Sequence, residues 1–280
     1  MSRQTIAAEA FRKLHEAGTF ILPNPGDAGT ARLLEQAGFK ALGTSSAALA
    51  FAMGVRDGEV PRPTVIRHIT EIAAATSLPV TADLGDGFGH DPKTVAETIR
   101  LAAEAGAVGG CIEDSSGDPV APLIPLSLAV ERIAAAVEAA RALPFPFAIT
   151  ARAEHYLVGC PSLDDVLTRL AAYRQAGADV LYAPGLPDAD AVAVAVQVAG
   201  SLPLNVLAQG RGIASDLQGL AALGVRRISL GSGLARVAFT NLLAGIAELE
   251  GGRFTFLRSA VSHARMNALF GARPTRIGDG

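Results

Sequence analysis

Residues 79–90 read Pro-Val-Thr-Ala-Asp-Leu-Gly-Asp-Gly-Phe-Gly-His, a short apolar run that passes directly into acidic residues and glycines. The apolar part is typical of a buried strand, and Asp83 and Asp86 follow it. The interleaved glycines permit positive φ angles and a close approach of a ligand to the backbone. Because α/β proteins place metals and anionic ligands at the carboxyl ends of buried strands, we expect a functional site here.

An ordinary strand-to-helix turn is the alternative interpretation of this stretch. Asp91 is a good helix N-cap and Pro92 suits the first helical position, so a turn explains both residues. It gives no reason for a carboxylate at Asp83, directly after the apolar strand. We therefore favour a functional site.

The same pattern of apolar run, polar or glycine turn and alanine-rich helix recurs eight times along the chain. Eight β-then-α units predict a (β/α)₈ TIM-type barrel rather than an open sheet. The first strand runs into Pro23 to Asp27, which lacks the glycine fingerprint of a dinucleotide-binding sheet. The eight apolar runs are Thr19–Leu22, Ala41–Gly43, Val80–Ala82, Gly110–Ile112, Phe147–Thr150, Val180–Tyr182, Leu204–Leu207 and Arg227–Leu230.

The composition limits the class of protein. No linker or charge block divides the 280 residues, so a single barrel domain over 1–280 is expected. The net charge of −3, without a lysine or arginine run, argues against nucleic acid or an anionic membrane as a partner. Only two cysteines occur, so a disulfide framework is not expected. The chain shows neither a signal peptide nor a membrane-spanning run, which predicts a cytoplasmic protein.

A further helical segment, about residues 253–270, follows the eighth unit. Its apolar residues include Phe254, Leu257 and Val261, which is too apolar a surface to stand free. We therefore expect this segment to pack on a neighbouring subunit.

Polar residues follow the predicted strands at the end of the barrel where reacting groups lie. Asp83 and Glu113 follow neighbouring strands and can share a divalent ion, and oxygen ligands alone suit Mg²⁺ or Mn²⁺ with retained waters. The planar fork of Arg152 suits a substrate carboxylate. Ser45 and Ser46 precede a helix start and can hold a second anionic group. Salt bridges that close the barrel rim are the alternative interpretation.

Three other polar positions border this predicted site. Asn205 belongs to the seventh apolar run and is a candidate substrate-binding residue. Glu154 and His155 follow Arg152, and we interpret them as structural rim residues rather than functional ones.

The order of these motifs over nearly the whole chain resembles the isocitrate lyase/phosphoenolpyruvate mutase superfamily. That resemblance implies a modified (β/α)₈ barrel, Mg²⁺, and usually a homotetramer built as a dimer of dimers that exchange a C-terminal helix. The motifs that carry it are Thr44-Ser45-Ser46, Gly54-Val-Arg-Asp57, Asp83 with Gly87-Phe-Gly89, Ile112-Glu113-Asp114, Ala151-Arg152, Ala176-Gly177-Ala178-Asp179 and Gly224-Val-Arg-Arg-Ile-Ser-Leu-Gly231.

The resemblance also implies a role for each matching residue. Asp83 would be a metal ligand, and Glu113 would reach the same metal, directly or through water. Asp57 would lie beside the reacting centre as a catalytic residue, and Arg152 would bind the 2-oxo acid or its enolate. The carboxylate or phosphonyl end of the substrate would be bound by Ser45 and Ser46.

Two departures from the superfamily pattern are informative. Gly85 stands where the superfamily usually has a second acid, and Asp86 is offset from that position by one residue. The loop from Asp114 to Pro125 lacks the Cys and His of the lyases, and also the Lys and Asn that phosphonate enzymes use there.

The sequence therefore predicts a Mg²⁺-dependent carbon–carbon lyase or decarboxylase for a small 2-oxo or 2-hydroxy di- or tricarboxylic acid. Such enzymes act through an enolate whose negative charge the metal stabilises. A phosphoenolpyruvate mutase or phosphonopyruvate hydrolase activity is one alternative. A 2-oxo acid binding protein with weakened catalysis is another, and Gly85 is the feature that favours it.

Overall fold

A computed structural model describes residues 1–271, in which eight parallel strands form a nearly closed barrel. The spatial order is β1-β8-β7-β6-β5-β4-β3-β2, so strands that follow one another in the chain are neighbours and β8 returns to β1. The predicted (β/α)₈ barrel is confirmed. The strands are β1 (Phe20–Leu22), β2 (Leu42–Gly43), β3 (Val80–Asp83), β4 (Gly109–Glu113), β5 (Ala148–Arg152), β6 (Val180–Tyr182), β7 (Leu204–Leu207) and β8 (Arg227–Ser229).

Helices surround the strands and begin where the sequence supplies N-caps. The side chains of Asp27, Asp91 and Asp188 each accept a hydrogen bond from a backbone amide in the first turn that follows. The helices are α1 (Arg3–Leu14), α2 (Ala28–Gln36), α3 (Ser46–Ala52), α4 (Arg62–Ala75), α5 (Pro92–Glu104), α6 (Leu126–Arg141), α7 (Leu163–Gln175), α8 (Ala189–Ala199), α9 (Leu217–Ala222), α10 (Gly233–Glu250) and α11 (His263–Gly271).

Helix α3 is an addition to the simple repeat of one helix after each strand. It forms because Ser45 caps it, its hydroxyl accepting from the amide of Ala48 at 3.3 Å, before an alanine-rich run. Between β7 and β8, a 3₁₀ turn at Gly212–Ser215 precedes the short α9.

The C-terminal segment is also less regular than predicted. A 3₁₀ turn at Thr255–Ser259 precedes α11, which packs on α2 of the same chain. The side chains of Arg32 and Gln36 donate to backbone carbonyls of α11, at 2.9 and 2.6 Å. Exchange of this segment between subunits stays a prediction. The single-domain prediction over 1–280 extends to residues 272–280, which lie outside the described residues.

No helix within residues 1–271 is long and apolar enough to cross a membrane.

Asn24 bridges β1 and β2, the two ends of the sheet. Its Nδ2 donates to the carbonyl oxygen of Thr44 at 2.9 Å. Its Oδ1 accepts from the amides of Leu230 and Gly231, each at 2.9 Å. This one buried side chain therefore connects the ends of β1, β2 and β8 at the rim where the site is predicted.

We expect Asn24→Ala to lower the free energy of unfolding by about 2–3 kcal/mol, because it leaves buried backbone groups without partners. Urea unfolding followed by circular dichroism measures the change. Asn241→Ala is the matched control, since Asn241 donates to a carbonyl within the exposed part of α10. An Asn24 variant no less stable than this control would contradict the proposed bridging role.

Candidate active site

Two cavities open at the carboxyl ends of the strands and share four lining residues, Ser46, Asp57, Asp83 and Arg152. The first, here the β3–β4 cavity, has a volume of about 460 Å³. The second, the β7–β8 cavity, has a volume of about 540 Å³. Both volumes suit a small-molecule ligand. Further lining residues are Glu113, Ser115 and Glu154 in the first, and Ser45, Tyr182, Gln209, Arg211, Ser232 and Arg236 in the second.

Asp83 ends β3 and is held in place by the start of α3. Its Oδ2 accepts from the amide of Ser46 at 3.0 Å, and its own amide donates to the hydroxyl of Thr44 at 2.9 Å. This contact places the Asp83 carboxylate at the amino end of α3, where a helix favours an acidic side chain. The other oxygen, Oδ1, lies 3.9 Å from Nη1 of Arg152.

Glu113 ends β4, the neighbouring strand. Its Oε2 lies 3.1 Å from Nη1 of Arg152, and its Oε1 accepts from the hydroxyl of Ser115 at 2.5 Å. Burial raises the pKa of Glu113, and the repulsion from Asp83 acts in the same direction, while Arg152 opposes both. The predicted pair of carboxylates from adjacent strands therefore lies on one side of a single guanidinium.

Arg152 ends β5 and is the centre of the site. Besides Asp83 and Glu113, it pairs with Glu154 through two hydrogen bonds, one from Nε and one from Nη2. Its guanidinium also lies over the ring of Tyr182, 5.3 Å from the ring centroid. Burial alone would lower the pKa of Arg152, but the carboxylates of Glu113 and Glu154 raise it well above the ordinary value.

The charges of this cluster do not balance. Three carboxylates, those of Asp83, Glu113 and Glu154, face the one guanidinium of Arg152. Burial raises the pKa of Glu154, while the charge of Arg152 and its paired hydrogen bonds oppose that rise by favouring the ionised form. We take the ionised pair as the state in neutral solution because two charge-assisted hydrogen bonds hold it. The cluster then carries an excess of two negative charges.

Glu154 belongs to the charge cluster around Arg152. It was predicted to be a structural rim residue, yet it is 5% exposed and lines the β3–β4 cavity. Its position two residues after Arg152 was the available signal, since that spacing places both side chains on one side of an extended strand. Asp114 fixes this turn, because its carboxylate accepts from the amide of Glu154 at 2.8 Å and from the hydroxyl of Tyr173 at 2.6 Å.

Ser45 and Ser46 lie at the start of α3, where the sequence predicted them. The hydroxyl of Ser45 is engaged as the N-cap, and the amide of Ser46 already binds Asp83. Both residues line the β7–β8 cavity, and Ser46 also lines the β3–β4 cavity. Asp57 faces both cavities from the loop after α3. Although this residue is exposed overall, partial desolvation of its carboxylate raises its pKa, and Asp83 adds to the effect.

Asn205 is placed away from the cavities. It is fully buried inside the barrel, where Oδ1 accepts from Nε of Arg227 at 2.9 Å and Nδ2 donates to the hydroxyl of Ser229 at 2.9 Å. Arg227 also donates to the hydroxyl of Thr150 at 3.0 Å. The structure thus gives Asn205 the role of satisfying a buried arginine below the site, and we do not assign it to the substrate.

Gly85 and Asp86 complete the opening stretch of the sequence. Gly85 has φ +54°, and a Cβ added there would meet no atom within 4 Å. Glycine suits this turn, yet the space beside it could hold the side chain that the superfamily places there. The carboxylate of Asp86 accepts from the amide of Phe88 at 2.8 Å, so it shapes the turn instead of replacing the missing acid.

The residue types available fit a magnesium site of a particular kind. No group of three or more His, Cys, Asp or Glu side chains within residues 1–271 is arranged to hold a metal. Mg²⁺ often uses only one or two protein carboxylates and completes its shell with water and substrate oxygens. Asp83 and Glu113, within a cluster that has excess negative charge, match that requirement.

The fold and this cluster define a barrel protein whose rim presents an anionic, arginine-centred site to a small molecule. Residues 11–250 match the sequence profile of the family described as phosphoenolpyruvate phosphomutase. Because the match covers most of the chain, the protein belongs to that family, within the isocitrate lyase/phosphoenolpyruvate mutase superfamily. The resemblance identified in the sequence is confirmed.

Two named relatives illustrate the range of chemistry in the superfamily. Probable 2-methylisocitrate lyase 2 of Corynebacterium glutamicum is 31% identical over 163 residues, which cover 56% of this chain and 52% of that protein. This match therefore spans about half the length of that relative. Oxaloacetate decarboxylase 1 of Pseudomonas putida is 30% identical over 227 residues, which cover 78% of this chain and 75% of that protein.

Two solved structures share the fold. A Burkholderia cenocepacia J2315 protein, provisionally described as a lyase/mutase, is 53% identical with a TM-score of 0.95, and the match covers 98% of this chain and 100% of that one. A phosphonopyruvate hydrolase in complex with oxalate and Mg²⁺ is 24% identical with a TM-score of 0.82, over 97% of this chain and 95% of that one. The named relatives include lyases and decarboxylases, which supports the predicted enzyme class.

We expect Arg152→Gln to lower the free energy of unfolding by about 3–5 kcal/mol at neutral pH, because buried carboxylates lose their counter-charge. The decrease in the free energy of unfolding should become larger as the pH rises from 5 to 8. Without Arg152 the pKa values of Glu113 and Glu154 rise further, so folding then opposes their ionisation more strongly. Denaturant unfolding at a series of pH values measures both effects.

Arg141→Gln is the control for this series, because Arg141 pairs with Asp179 on the exposed outer surface. The Arg141→Gln variant should lose less unfolding free energy, and that decrease should be nearly independent of pH over the same range. An equal decrease in unfolding free energy for Arg152→Gln and Arg141→Gln at every pH would refute the charge imbalance around Arg152.

Proposed function

We propose that this protein is a Mg²⁺-dependent lyase that breaks a carbon–carbon bond beside the carbonyl of a small 2-oxo or 2-hydroxy di- or tricarboxylic acid. Decarboxylation of an oxaloacetate-like acid is the first candidate reaction. The observation that carries this proposal is the cluster of three buried or partly buried carboxylates around Arg152 in a cavity of ligand size. A divalent cation would neutralise its excess charge and make it able to receive an anionic substrate.

Asp83 and Glu113 would hold the metal, with water and substrate oxygens completing its shell. When bound, Mg²⁺ supplies Lewis-acid stabilisation of the negative charge that develops on the carbonyl oxygen of the substrate. The amide of Ser46 keeps Asp83 oriented, and the hydroxyl of Ser115 does the same for Glu113. These contacts preorganise both carboxylates before substrate arrives.

Arg152 would bind the oxygen atoms of the 2-oxo acid. A guanidinium has five N–H donors; Glu154 accepts from two of them and Glu113 is ion-paired with Nη1, so donors remain for a ligand. The remaining donors would stabilise the charge on the carbonyl oxygen as the bond breaks. Asp57, at the junction of the two cavities, would face the reacting centre from the opposite loop.

In the candidate decarboxylation, the bond between the carboxylate and the adjacent carbon breaks and carbon dioxide leaves. The electron pair of that bond forms the carbon–carbon double bond of an enolate, and the carbonyl π pair moves onto the oxygen. The enolate then takes a proton at carbon. Ser115 lies in the β3–β4 cavity with its hydroxyl bonded to Glu113, and it can relay that proton from solvent, taking one from water as it gives one to carbon. Ser116 is less suitable because its hydroxyl is bonded to the carbonyl of Ala121 and is exposed.

The residues that line the two cavities favour decarboxylation over the ordinary isocitrate lyase mechanism. Within the described residues, neither cavity is lined by a cysteine or a histidine that could act as the general acid. Cys111 lies within β4, and burial raises the pKa of its thiol. The similarity to an oxaloacetate decarboxylase over 78% of this chain agrees with this choice.

We expect Asp83→Asn to abolish Mg²⁺-dependent turnover of oxaloacetate, because it removes half of the proposed carboxylate pair. Pyruvate formation is assayed with and without Mg²⁺, and decarboxylation by the metal in protein-free solution is subtracted. Asp86→Asn is the matched control, since Asp86 lies three residues away and its side chain can still accept from Phe88. That control should retain most of the activity.

Turnover that survives in Asp83→Asn, or after chelation of the metal, would contradict the metal assignment. Absence of turnover with every 2-oxo and 2-hydroxy diacid in a screen, together with retained binding of those acids, would favour the binding-protein alternative. Release of phosphate from phosphonopyruvate would favour phosphonate chemistry.

We also propose that the protein forms a homo-oligomer, with a tetramer built as a dimer of dimers as the expected form. Helix α10 and the segment after it expose a series of large apolar side chains, an arrangement typical of an interface. These side chains include Val237, Leu242, Leu243, Ile246, Leu249, Phe254, Leu257 and Val261. The cytoplasmic location stays a prediction.

Removal of residues 253–280 should dissociate this oligomer, because it takes away part of the apolar surface. Light scattering coupled to size-exclusion chromatography gives the mass. Leu243→Glu should have the same effect, whereas Val120→Glu should not, since Val120 is exposed in a loop away from α10. An intact tetramer after truncation would count against the interface.

A further inference from the structure

We propose that Arg211 and Arg236 form a second anion subsite in the β7–β8 cavity, which selects substrates that carry an anionic group remote from the reacting carbonyl. This inference rests on the proposed function, because it assigns the far end of the same substrate. The group is a carboxylate or a phosphonyl group, the two anions that a guanidinium fork recognises best.

The two arginines are positioned to bind a ligand, and neither side chain has a partner among the residues that the structure describes. Both line the β7–β8 cavity, Arg211 from the loop after β7 and Arg236 from the first turn of α10. Among the interactions of residues 1–271, neither guanidinium makes a side-chain hydrogen bond or an ion pair. Most other guanidiniums that face the interior are paired, as Arg152 and Arg169 are with carboxylates.

The distribution of charge across the two cavities is asymmetric. Acidic side chains are concentrated on the β3–β4 side, with Glu113 and Glu154 beyond the shared aspartates. The β7–β8 cavity has no acidic lining residue of its own, because Asp57 and Asp83 belong to both cavities. A ligand that spans both cavities therefore has two different surroundings. One end of it would lie beside the proposed metal site, and the other end would lie beside the positive charges of Arg211 and Arg236.

The position of Arg236 strengthens this assignment. A positive charge in the first turn of a helix is disfavoured by the helix dipole. Ser232, the N-cap of α10, makes no side-chain cap bond, and it lines the same cavity. An anion bound there would offset the repulsion between Arg236 and the helix and would compensate Arg211 at the same time.

A binding experiment tests the subsite without depending on turnover. Three 2-oxo acids share one end and differ at the other: 2-oxobutyrate has no second charge, 2-oxoglutarate has a carboxylate, and phosphonopyruvate has a phosphonate. Calorimetric titrations with saturating Mg²⁺ give the dissociation constant of each acid. The wild-type protein should bind at least one of the two doubly anionic acids about tenfold or more tightly than 2-oxobutyrate.

Arg211→Gln and Arg236→Gln should each reduce that preference, and the double variant should abolish it while 2-oxobutyrate affinity stays within about twofold. Arg67→Gln is the matched control, because it removes the same charge from an exposed position on α4 outside both cavities. It should leave the preference unchanged. The acid that shows the larger preference identifies the second group as carboxylate or phosphonate.

A preference that persists in the double variant, or a wild-type protein without any preference, would overturn the subsite. Failure of the proposed function gives a different result. In that case no acid is turned over, yet the doubly anionic acids still lose affinity in the two arginine variants.

Discussion

The guanidinium of Arg152 among three buried or partly buried carboxylates is the interaction on which the site depends. Asp83, Glu113 and Glu154 come from the ends of β3 and β4 and from the turn after β5, so three adjacent parts of the barrel meet at one cation. Buried charges of this kind cost free energy unless they are paired. One arginine cannot balance three carboxylates, and the proposed divalent cation would supply the missing positive charge. The excess of negative charge is unfavourable by itself, and it is also what would make the cluster suitable for Mg²⁺.

The barrel produces this arrangement through contacts that have no chemical role. Asn24 bridges the ends of the sheet at the rim, Arg227 fills the interior below it, and Asp114 fixes the turn that carries Glu154. The distribution of charge between the two cavities follows from the same architecture. Carboxylates lie above β3 to β5 and the guanidiniums of Arg211 and Arg236 above β7 to β8. A small acid with charges at both ends would therefore have one favourable orientation in the proposed site.

Much of the fold was predictable from the sequence, because eight short apolar runs separated by alanine-rich helices permit few other architectures. Asp83, Glu113 and Arg152 were predictable for a related reason, since side chains at the ends of neighbouring parallel strands must approach one another. The position of Asn205 was harder to predict, because the depth of a residue within a barrel depends on the stagger of the strands. Local sequence does not encode that stagger. Arg236 was not identified, since the direction in which α10 leaves the rim is set by tertiary packing.

The most direct test of the account is a count of divalent ions by electron paramagnetic resonance, with Mn²⁺ as the spectroscopic substitute for Mg²⁺ and oxalate as the mimic of a 2-oxo acid. We predict one saturable Mn²⁺ per chain, which binds more tightly when oxalate is present. Asp83→Asn and Glu113→Gln should each lose that ion. Wild-type protein without saturable Mn²⁺ binding, with or without oxalate, would contradict the claim that this carboxylate cluster is a metal site.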